Sequence, residues 1–473
     1  MSKISSMLDI GKRSMANSQT ALQTVSHNIA NQGTKGYSRQ RVEMQTSEPV
    51  GLGKLRIGMG AKSASVTRTN NPFLEKQILG EGSKLGYSQS ESDALSRVEQ
   101  IFNEQINRGL SNFVSDFFNS FRELANNPES LATRTQVREA AAFLTKDFSR
   151  ISGQLKKIQS ELDQQIVSQV QEVNGMAQEI ANLNEKIQMV ELNGGYANDE
   201  RDQRDQVLKD LGQKIDMNVS ESEDGQLNVT VGGTAVLVSG YSYGQLQAAP
   251  SAEMGNKRES NYSIYFTPAE KSAPTDITQR IRGGAIGAAI HVRDGALNDN
   301  LHSLDEMAFV LAEKVNEAHR LGYNAKGETG LDFFSPLAQV RDAAEQMDLS
   351  AEIHRDLNRI SAGARPDAPG DNRIALLISS IQDRRIMGDG ESTVNDHYNG
   401  IVGKLAVQTK KANSVTEHQK GIVSQLNNVR ESISGVSLDE ETVKMIEFQK
   451  AYQASAKMVQ VADELLETVI NMV

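Results

Sequence analysis

The sequence predicts a mainly α-helical protein with a small inserted β domain, paired N- and C-terminal coiled-coil helices and a bundle of long helices. Apolar residues recur at heptad spacing at both ends of the chain. A second helical periodicity runs through roughly 60 residues of the first half. Near the middle, short alternating β-branched segments are separated by glycines, which is typical of strands and turns.

A chain of 473 residues is too long for a single core, because one domain usually holds roughly 100 to 200 residues. We therefore divide it into three predicted parts. Residues 1–40 and 435–473 form a terminal coiled-coil polymerisation domain. Residues 41–215 and 281–434 form a helical core domain, with 322–370 as a possible irregular sub-insertion, and residues 216–280 form the small β domain.

The first predicted element is an N-terminal helix with a coiled-coil seam. Four apolar residues recur every seven positions: Leu8, Met15, Leu22 and Ile29. The interleaved heptad register contains Gly11, Ser18 and Val25. Small residues in a seam allow a neighbouring backbone to approach closely. The helix should end near Asn31–Gly33, where residues tolerant of left-handed backbone begin a turn.

The central helices are predicted from caps and spacing. Asn71 and Asn127 each precede a proline, which suits the first turn of a helix beginning there or nearby. From Val137 the apolar residues alternate steps of four and three, which predicts a helix of roughly 60 residues ending at Asn193. Strand-like segments follow Asp216, and helical spacing returns before and after the irregular stretch at 322–370.

The C-terminal helix should begin near Leu438 and carry a seam of the same kind as the first helix. Its apolar members occupy two interleaved heptad registers: Met445, Phe448, Tyr452, Val459, Leu466 and Val469. An isolated helix of this length is marginal in water unless its apolar face is buried. We therefore expect both terminal seams to be completed in an assembly, although periodicity alone allows an intramolecular bundle equally well.

Composition excludes several classes of partner and site. The formal charge is −11, with no dense basic tract, so nucleic acid is not expected. The longest wholly apolar run, at Ile374–Ile378, is far shorter than the roughly twenty residues of a membrane span, so no membrane partner is expected. The N-terminus lacks the apolar core of a cleavable secretion signal, and cysteine is absent.

The sequence offers no catalytic, cofactor or metal site. Its seven histidines form no H-E-x-x-H pair, and no phosphate-binding loop or nucleophile elbow occurs. The charged run from Asp199 to Asp210 could be imagined as a metal site. However, Arg201, Arg204 and Lys209 interrupt its carboxylates, which favours ion pairing on a solvated helix face. The prediction is a protein that is not an enzyme.

Two terminal motifs give the most specific signal. The N-terminal motif runs from Ser26 to Gln40 as SHNIANQGTKGYSRQ, and its most informative residues are Asn28, Ala30, Asn31, Thr34, Gly36, Tyr37, Arg39 and Gln40. The C-terminal motif runs from Met445 to Lys457 as MIEFQKAYQASAK. Together they resemble the two signatures of bacterial flagellar axial proteins, the family of rod, hook and hook-associated subunits.

Within that family the chain resembles the hook-associated proteins of the hook-filament junction. The segments that carry this are Ile101–Glu104, the run from Gly109 to Ser130, Ala197–Asp199 with Asp202–Gln206, Gly283–Gly284 and Pro369–Asn372. The resemblance covers nearly the whole chain except about Gln245 to Lys271.

The resemblance implies a structural subunit that joins hook to filament as an adaptor ring at the hook tip. Its implied partners are further copies in a homo-oligomeric ring, hook subunits, a second junction adaptor protein, and an export chaperone on the C-terminal helix. It also implies an extracellular location in the flagellum, reached through the flagellar export apparatus without a cleaved signal peptide. Another axial subunit of hook or distal rod type remains an alternative, as does an unrelated coiled-coil scaffold.

Overall fold

The structure is a computed structural model that describes residues 2–52, 55–102, 109–222, 225–251, 261–270, 273–388 and 390–471. Its α-helices, in chain order, are α1 (Ser2–Ala30), α2 (Pro72–Ile101), α3 (Leu110–Asn126), α4 (Leu131–Leu192), α5 (Asn198–Lys214), α6 (Gly284–Val292), α7 (Asn298–Arg320), α8 (Ala343–Gln346), α9 (Ala351–Arg355), α10 (Arg373–Ser380), α11 (Val394–Ser434) and α12 (Leu438–Asn471). A short π-helix, Arg293–Leu297, joins α6 to α7.

The strands form small antiparallel sheets. They are β1 (Gln40–Thr46), β2 (Val50–Leu52), β3 (Leu55–Ile57), β4 (Ala61–Arg68), β5 (Met217–Glu221), β6 (Leu227–Val231), β7 (Ala235–Ser239), β8 (Ser242–Tyr243), β9 (Gln245–Pro250), β10 (Tyr262–Thr267) and β11 (Thr275–Asp276). The sheet orders are β1-β4, β2-β3, β5-β6-β7-β8 and β11-β10-β9. The predicted fold class, mainly helical with a small β part, is confirmed.

Helix α4 is 62 residues long and confirms the long helix predicted from the four-and-three spacing. Residues of that spacing, including Val137, Leu144 and Phe148, are fully buried because α3, α5 and the β domain pack along the same face. The start of α4 differs from the prediction. Ser130 caps this helix, accepting from the Thr133 amide, whereas Asn127 ends α3 instead.

An aromatic core joins α3 to the irregular stretch that follows α7. The ring centroids of Phe117 and Phe334 are 5.6 Å apart, those of Phe121 and Phe333 are 5.4 Å apart, and all four side chains are fully buried. Buried aromatic side chains contribute large apolar areas and favour such tilted or edge-to-face pairs. This core anchors residues 322–370 to the helices.

A two-stranded ribbon between α1 and α2 departs from the prediction, which assigned residues 41–215 to a helical domain. Strands β1 and β4 pair antiparallel and lie along α1. The Asn17 side chain donates to Ala61 O at 2.7 Å and accepts from the Ser63 amide at 2.9 Å. Backbone pairing and contact with α1 hold these strands in place, so they do not depend on a buried sheet face. They therefore lack the alternating apolar pattern that predicts a strand.

Candidate assembly site

Helices α1 and α12 pack against each other as an antiparallel pair, which we call the stalk; residues 72–434 are called the body. Ser14 Oγ lies 2.6 Å from Ser455 Oγ, and Asn28 near the end of α1 contacts Glu441 near the start of α12. At Gly11, an added Cβ would lie 2.7 Å from Val459 Cγ2. Small side chains at the interface therefore bring the two backbones close together.

The predicted seam residues lie at or beside this intramolecular interface. Val25 is buried, and the other ten are half-buried: Leu8, Met15, Leu22, Ile29, Met445, Phe448, Tyr452, Val459, Leu466 and Val469. The fully buried positions are mainly small residues such as Ser18, Ala21 and Ala462. The two ends of one chain therefore cover part of each other's seam, and the role of the seam residues in assembly stays a prediction.

A second apolar face of α12 stays exposed. Its exposed large apolar residues are Val443, Ile446, Met458, Val461 and Leu465, while Leu438 and Ile470 are exposed at the two ends of the helix. Val443 keeps 65% of its accessible surface, while the described residues of α12 that are fully buried are Glu441, Ser455 and Ala462. Several large exposed apolar side chains on one side of a helix favour an interaction site there.

The base of the stalk is organised by the buried amide of Asn28. Its Nδ2 donates to Glu441 Oε2 and to Gln40 O, each at 2.9 Å. Its Oδ1 accepts from the Tyr37 hydroxyl at 2.8 Å and from the Gln40 amide at 3.0 Å. One side chain thus uses both its donors and both its acceptors to join α1, the following turn and α12.

Glu441 is the buried anionic centre of the same cluster. Its side chain is 1% exposed, and Arg39 donates to its Oε1 from Nε at 2.8 Å. A second Arg39 nitrogen lies 2.9 Å from the exposed Glu440 carboxylate. A buried carboxylate is tolerated only when paired and hydrogen-bonded, and Glu441 meets that condition through Arg39 and Asn28.

Residues 36–40, which we call the strap, tie the stalk to the body. The Ser38 amide donates to Asp202 Oδ2 at 2.6 Å, and Arg430 Nη2 donates to Gly36 O at 2.8 Å. The Arg39 amide donates to Ser434 O at 2.8 Å. Because these contacts reach both α5 and α11, the strap fixes the direction in which the stalk leaves the body.

Two further charged groups support the strap, one on α2 of the body and one on β4 of the ribbon. Glu75 on α2 accepts from Arg430 Nε at 2.9 Å and lies 2.7 Å from Lys209 Nζ. Burial alone raises the pKa of Glu75, but the hydrogen bond and charge of Lys209, together with Arg430, outweigh burial and hold that pKa below its usual value. Arg68 on β4 donates to Asp202 at 2.8 Å and to Asp205 at 2.6 Å.

The other predicted motif residues shape the turn at the strap. Ala30 is the last residue of α1, and Asn31 and Thr34 bond to each other across the turn. Gly36 has a φ of +84°, a left-handed conformation that favours glycine, and a Cβ there would also lie 3.0 Å from Gln206 Oε1. Gln40 donates from Nε2 to Asp199 Oδ1 at 2.6 Å.

Tyr37 fills the space inside this turn. Burial raises the pKa of its hydroxyl, and the negative charges of Asp199, Asp202 and Glu441 raise it further. The phenol therefore stays protonated and remains a donor to Asn28. Its ring also lies edge-on to His27, with centroids 5.7 Å apart.

Sequence reasoning missed the long-range partners Glu441, Arg430, Glu75 and Arg68. A signal for Glu441 was present, because it occupies the seam register seven residues before Phe448, where a carboxylate is out of place unless paired. The charged run at 199–210 was predicted to form ion pairs on a solvated helix face; Arg201 and Lys209 do form ion pairs, but the solvated placement is wrong for two residues. These are Asp202 and Arg204, which are buried. Asp202 contacts the strap, and Arg204 donates to Asn184 and to Gly225 O.

The structure adds two observations on excluded sites. Within the described ranges, His, Asp and Glu side chains form no group of three or more arranged to hold a metal ion. No described helix is both long and apolar enough to cross a bilayer. The motif residues Asn103 and Glu104 lie outside the described residues.

The comparisons with known proteins agree with this architecture. A family model for the flagellar hook-associated protein FlgK helical domain matches residues 95–334, just over half of the chain. This chain belongs to the flagellar hook-associated protein FlgK family. A model for the C-terminal region of flagellar basal body rod FlgEFG proteins matches residues 430–472, which include α12. The resemblance to flagellar axial proteins is confirmed, and the chain is a structural protein of the bacterial flagellum, an extracellular appendage.

Relatives that match over nearly their whole length support the FlgK assignment. The chain is 29% identical to flagellar hook-associated protein 1 of Bacillus subtilis, over 98% of this chain and 97% of that protein. It is 24% identical to flagellar hook-associated protein 1 of Salmonella typhimurium, over 99% and 100%. The flagellar hook junction protein FlgK of Burkholderia pseudomallei has a similar fold, with a TM-score of 0.69 and 14% identity, over 76% of this chain and all of that one.

Proposed function

We propose that this FlgK-family chain joins hook to filament, assembling as a ring of identical copies at the hook tip through its stalk. The observation that carries this proposal is the exposed apolar face of α12, with Val443 and Ile446 more than half accessible. Packing that face against the stalks of neighbouring copies would remove it from water. Each fully buried aliphatic side chain contributes about 1.5 to 3 kcal/mol.

The seam side of the stalk has a different part in this proposal. Helix α1 covers one face of α12, so each copy presents a preformed pair of helices instead of two separate tails. The half-buried seam residues, such as Leu22 and Tyr452, lie at the rim of that pair. We assign them to the edges of the contact between neighbouring stalks, where remaining apolar surface becomes covered.

The strap suits a mechanical junction. Arg39, Asn28 and Glu441 hold the two stalk helices together at their base, while Asp202 and Arg430 hold the strap to the body. A buried, multiply bonded cluster resists changes in the angle between stalk and body, because each broken contact leaves a buried polar group without a partner. A bending load on the stalk would then be transmitted to the body without a change in the angle between them.

The relatives' names support association with the hook, and the other partners in this proposal are those that the resemblance to the family implies. Hook subunits lie on one side of the ring and a second junction adaptor protein on the other. An export chaperone covers the apolar face of α12 before export, since that face is an aggregation hazard on a free chain. The chain leaves the cell through the flagellar export apparatus without a cleaved signal peptide, and it acts as a structural part rather than as an enzyme.

A distal rod or hook subunit is the second candidate, favoured by the match of residues 430–472 to the rod-protein C-terminal model. The two candidates share the stalk and differ in the body. Hook subunits are mostly β proteins, whereas the 62-residue α4 dominates this body. The helical-domain match therefore favours the junction.

The test replaces the native gene in a motile strain of the source bacterium by variants of the full chain. Val443→Asn with Ile446→Asn should abolish incorporation at the hook tip, leaving hooks without filaments and flagellin shed into the medium. Gln453→Asn, an exposed polar change on the same helix, should leave motility normal. Normal filaments in the double variant would contradict the proposal.

A further inference from the structure

A cleft of 510 Å³ lies between the ribbon and the body, next to the end of α4. The end of β4 with the residues after it, the loop between α4 and α5, the start of α5 and the end of β5 form its walls. Binding sites for small molecules enclose roughly 300 to 1,000 Å³, so the cleft is large enough for one. No seam residue of the described stalk lines it, so assembly through the stalk does not account for it.

The charged groups of the cleft are paired within the chain. Arg201 Nε and Nη2 donate to the two carboxylate oxygens of Glu191 at 2.8 and 2.9 Å, and its Nη1 donates to Glu221 Oε1 at 2.8 Å. Arg68, the other arginine of the cleft, donates to two aspartates of α5. A charged ligand would have to compete with these charge-assisted hydrogen bonds, whereas a neutral ligand would not.

Several neutral polar groups of the cleft remain open. Asn198 is 8% exposed, and its Nδ2 donates to Val66 O at 2.8 Å, while its Oδ1 stays accessible without a hydrogen-bond partner among the described residues. The side chains of Thr67 and Asn70 also make no hydrogen bond within the described part of the chain. Amide and hydroxyl groups both donate and accept, so these three side chains can pair with the hydroxyls of a ligand.

An exposed aromatic ring stands beside these polar groups. Tyr196, in the loop after α4, keeps 55% of its accessible surface. Gly194 and Gly195 precede it, and a Cβ at Gly194 would meet no atom within 4 Å, so the cleft is open on this side. The face of an aromatic ring is apolar and weakly negative, so it packs well against the C–H bonds of a ligand.

A sugar ring in the pyranose form has the properties that match this lining. Its hydroxyls project around the edge of the ring and both donate and accept hydrogen bonds, whereas its C–H bonds form an apolar face. It has no charge, in agreement with the paired ions of the cleft. An aliphatic ligand would instead leave the open amide and hydroxyl groups without partners, which costs free energy.

We propose that this cleft binds a neutral saccharide. Tyr196 stacks on the C–H face of one pyranose ring, and Thr67, Asn70 and Asn198 hydrogen-bond its hydroxyls. This function is additional to the junction role and does not depend on it. Because the flagellum is an extracellular appendage, the site would meet polysaccharides outside the cell.

The carboxylates of the cleft suit binding and not hydrolysis. A glycosidase needs one carboxylic acid that keeps its proton and donates it to the leaving group. The hydrogen bond from Arg201 lowers the pKa of Glu191 and so keeps that carboxylate ionised. Glu221 Oε1 accepts from both Arg201 and Arg204, which holds it as an acceptor. The cleft therefore holds its ligand without cleaving it.

Saturation-transfer NMR of the free, full-length chain tests this inference. Glucose, galactose, mannose and N-acetylglucosamine are each added at about 10 mM, a concentration that fills a site of millimolar Kd. At least one of these sugars should receive saturation, most strongly at its ring C–H protons. Tyr196→Ala should raise the Kd of that sugar about tenfold, because it removes the stacking ring. Asn70→Ala should raise the Kd by a smaller factor.

The matched control is Tyr241→Ala. Tyr241 is 63% exposed in the turn between β7 and β8 and does not line the cleft, so this change should leave the Kd unaltered. Both tyrosines are exposed, and thermal unfolding should show that both variants fold like the parent chain. The inference is overturned if none of the four sugars receives saturation, or if Tyr196→Ala binds the sugar as well as Tyr241→Ala does.

Discussion

The stalk and the body differ in what holds their helices together. In α4 of the body, 24 of 62 residues are buried, most of them apolar. In α12 of the stalk, the buried residues among the 34 are Glu441, Ser455 and Ala462, none of them a large apolar side chain. Because apolar burial is the main favourable term in folding, the body has its own source of stability and the stalk has little.

This difference explains how one chain can serve as both a rigid part and an assembling part. The two stalk helices pack closely against each other at Gly11, Ser14 and Ser455, which gives the stalk a defined structure. The polar cluster at Glu441 anchors its base. Its remaining apolar surface is left for other copies. The body has a buried aromatic core of its own, at Phe117, Phe121, Phe333 and Phe334, and should fold whether or not a ring of copies forms.

The largest expected effect is a cavity in the body core. Phe117→Ala removes a fully buried ring that packs on Phe121, Phe333 and Phe334, and should lower the free energy of unfolding by about 3 to 5 kcal/mol. Urea unfolding of the free chain, followed by circular dichroism, measures this. The exposed Phe73→Ala is the matched control and should shift stability by less than about 0.5 kcal/mol. Equal effects would mean that the aromatic core is not the main source of stability.

Acid should weaken the body through His319. Burial lowers the pKa of His319 to about 4, while its ring accepts from the Ser361 amide and donates to Leu331 O. The folded pKa is below the unfolded one, so the unfolded chain binds more protons between the two values. The contribution of His319 to the free energy of unfolding is fully present above pH 6.5, and it falls by about 3 kcal/mol on acidification to pH 4.

The check for this pH dependence compares unfolding of the parent chain and His319→Gln at pH 7 and pH 4. The glutamine variant keeps one donor and one acceptor but cannot titrate. It should lose clearly less stability on acidification than the parent chain, since carboxylates such as Glu75 contribute equally to both. An identical acid loss in the two chains would rule out His319 as the source.

The repeating features of the fold could be predicted from the sequence, whereas the individual long-range contacts could not. The 62-residue α4 was predictable because its burial follows one periodic rule along one helix. The turn at Asn31–Gly36 was predictable from local residue preferences. The pairing of Arg39 with Glu441 was not, because it joins residues 402 apart in sequence and depends on the antiparallel packing of α1 and α12. The ribbon of β1 and β4 was missed because contact with α1 supports it, while its own sequence shows no clear alternation of apolar and polar residues.

A smaller effect is expected at the base of the stalk. Glu441→Gln removes the charge that Arg39 and Asn28 share, which should weaken the stalk by about 2 kcal/mol while the unfolding of the body stays unchanged. Limited proteolysis of the free chain should cut α12 faster. Glu440→Gln is the control, since that exposed carboxylate also contacts Arg39 and its loss should cost less than about 0.5 kcal/mol. Equal protease resistance of parent and Glu441→Gln chains would argue against the cluster.

The smallest effect on the free chain should come from the exposed face of α12. Met458→Gln with Leu465→Gln should change its stability by less than about 0.5 kcal/mol, because both side chains are already exposed in the lone chain. The same variant should be recruited poorly to hook tips, as counted by electron microscopy with a labelled antibody. A large loss of stability in solution would show that this face is buried within one chain.

Hydrogen exchange of the free chain at low concentration tests most directly whether the stalk depends on sister copies. Amides of α12 should exchange orders of magnitude faster than those of α4 in the lone chain, and should become protected when the chain is recovered from hook tips. If the α12 amides of the dilute monomer are already as protected as those of α4, the stalk is complete without neighbours and does not depend on sister copies.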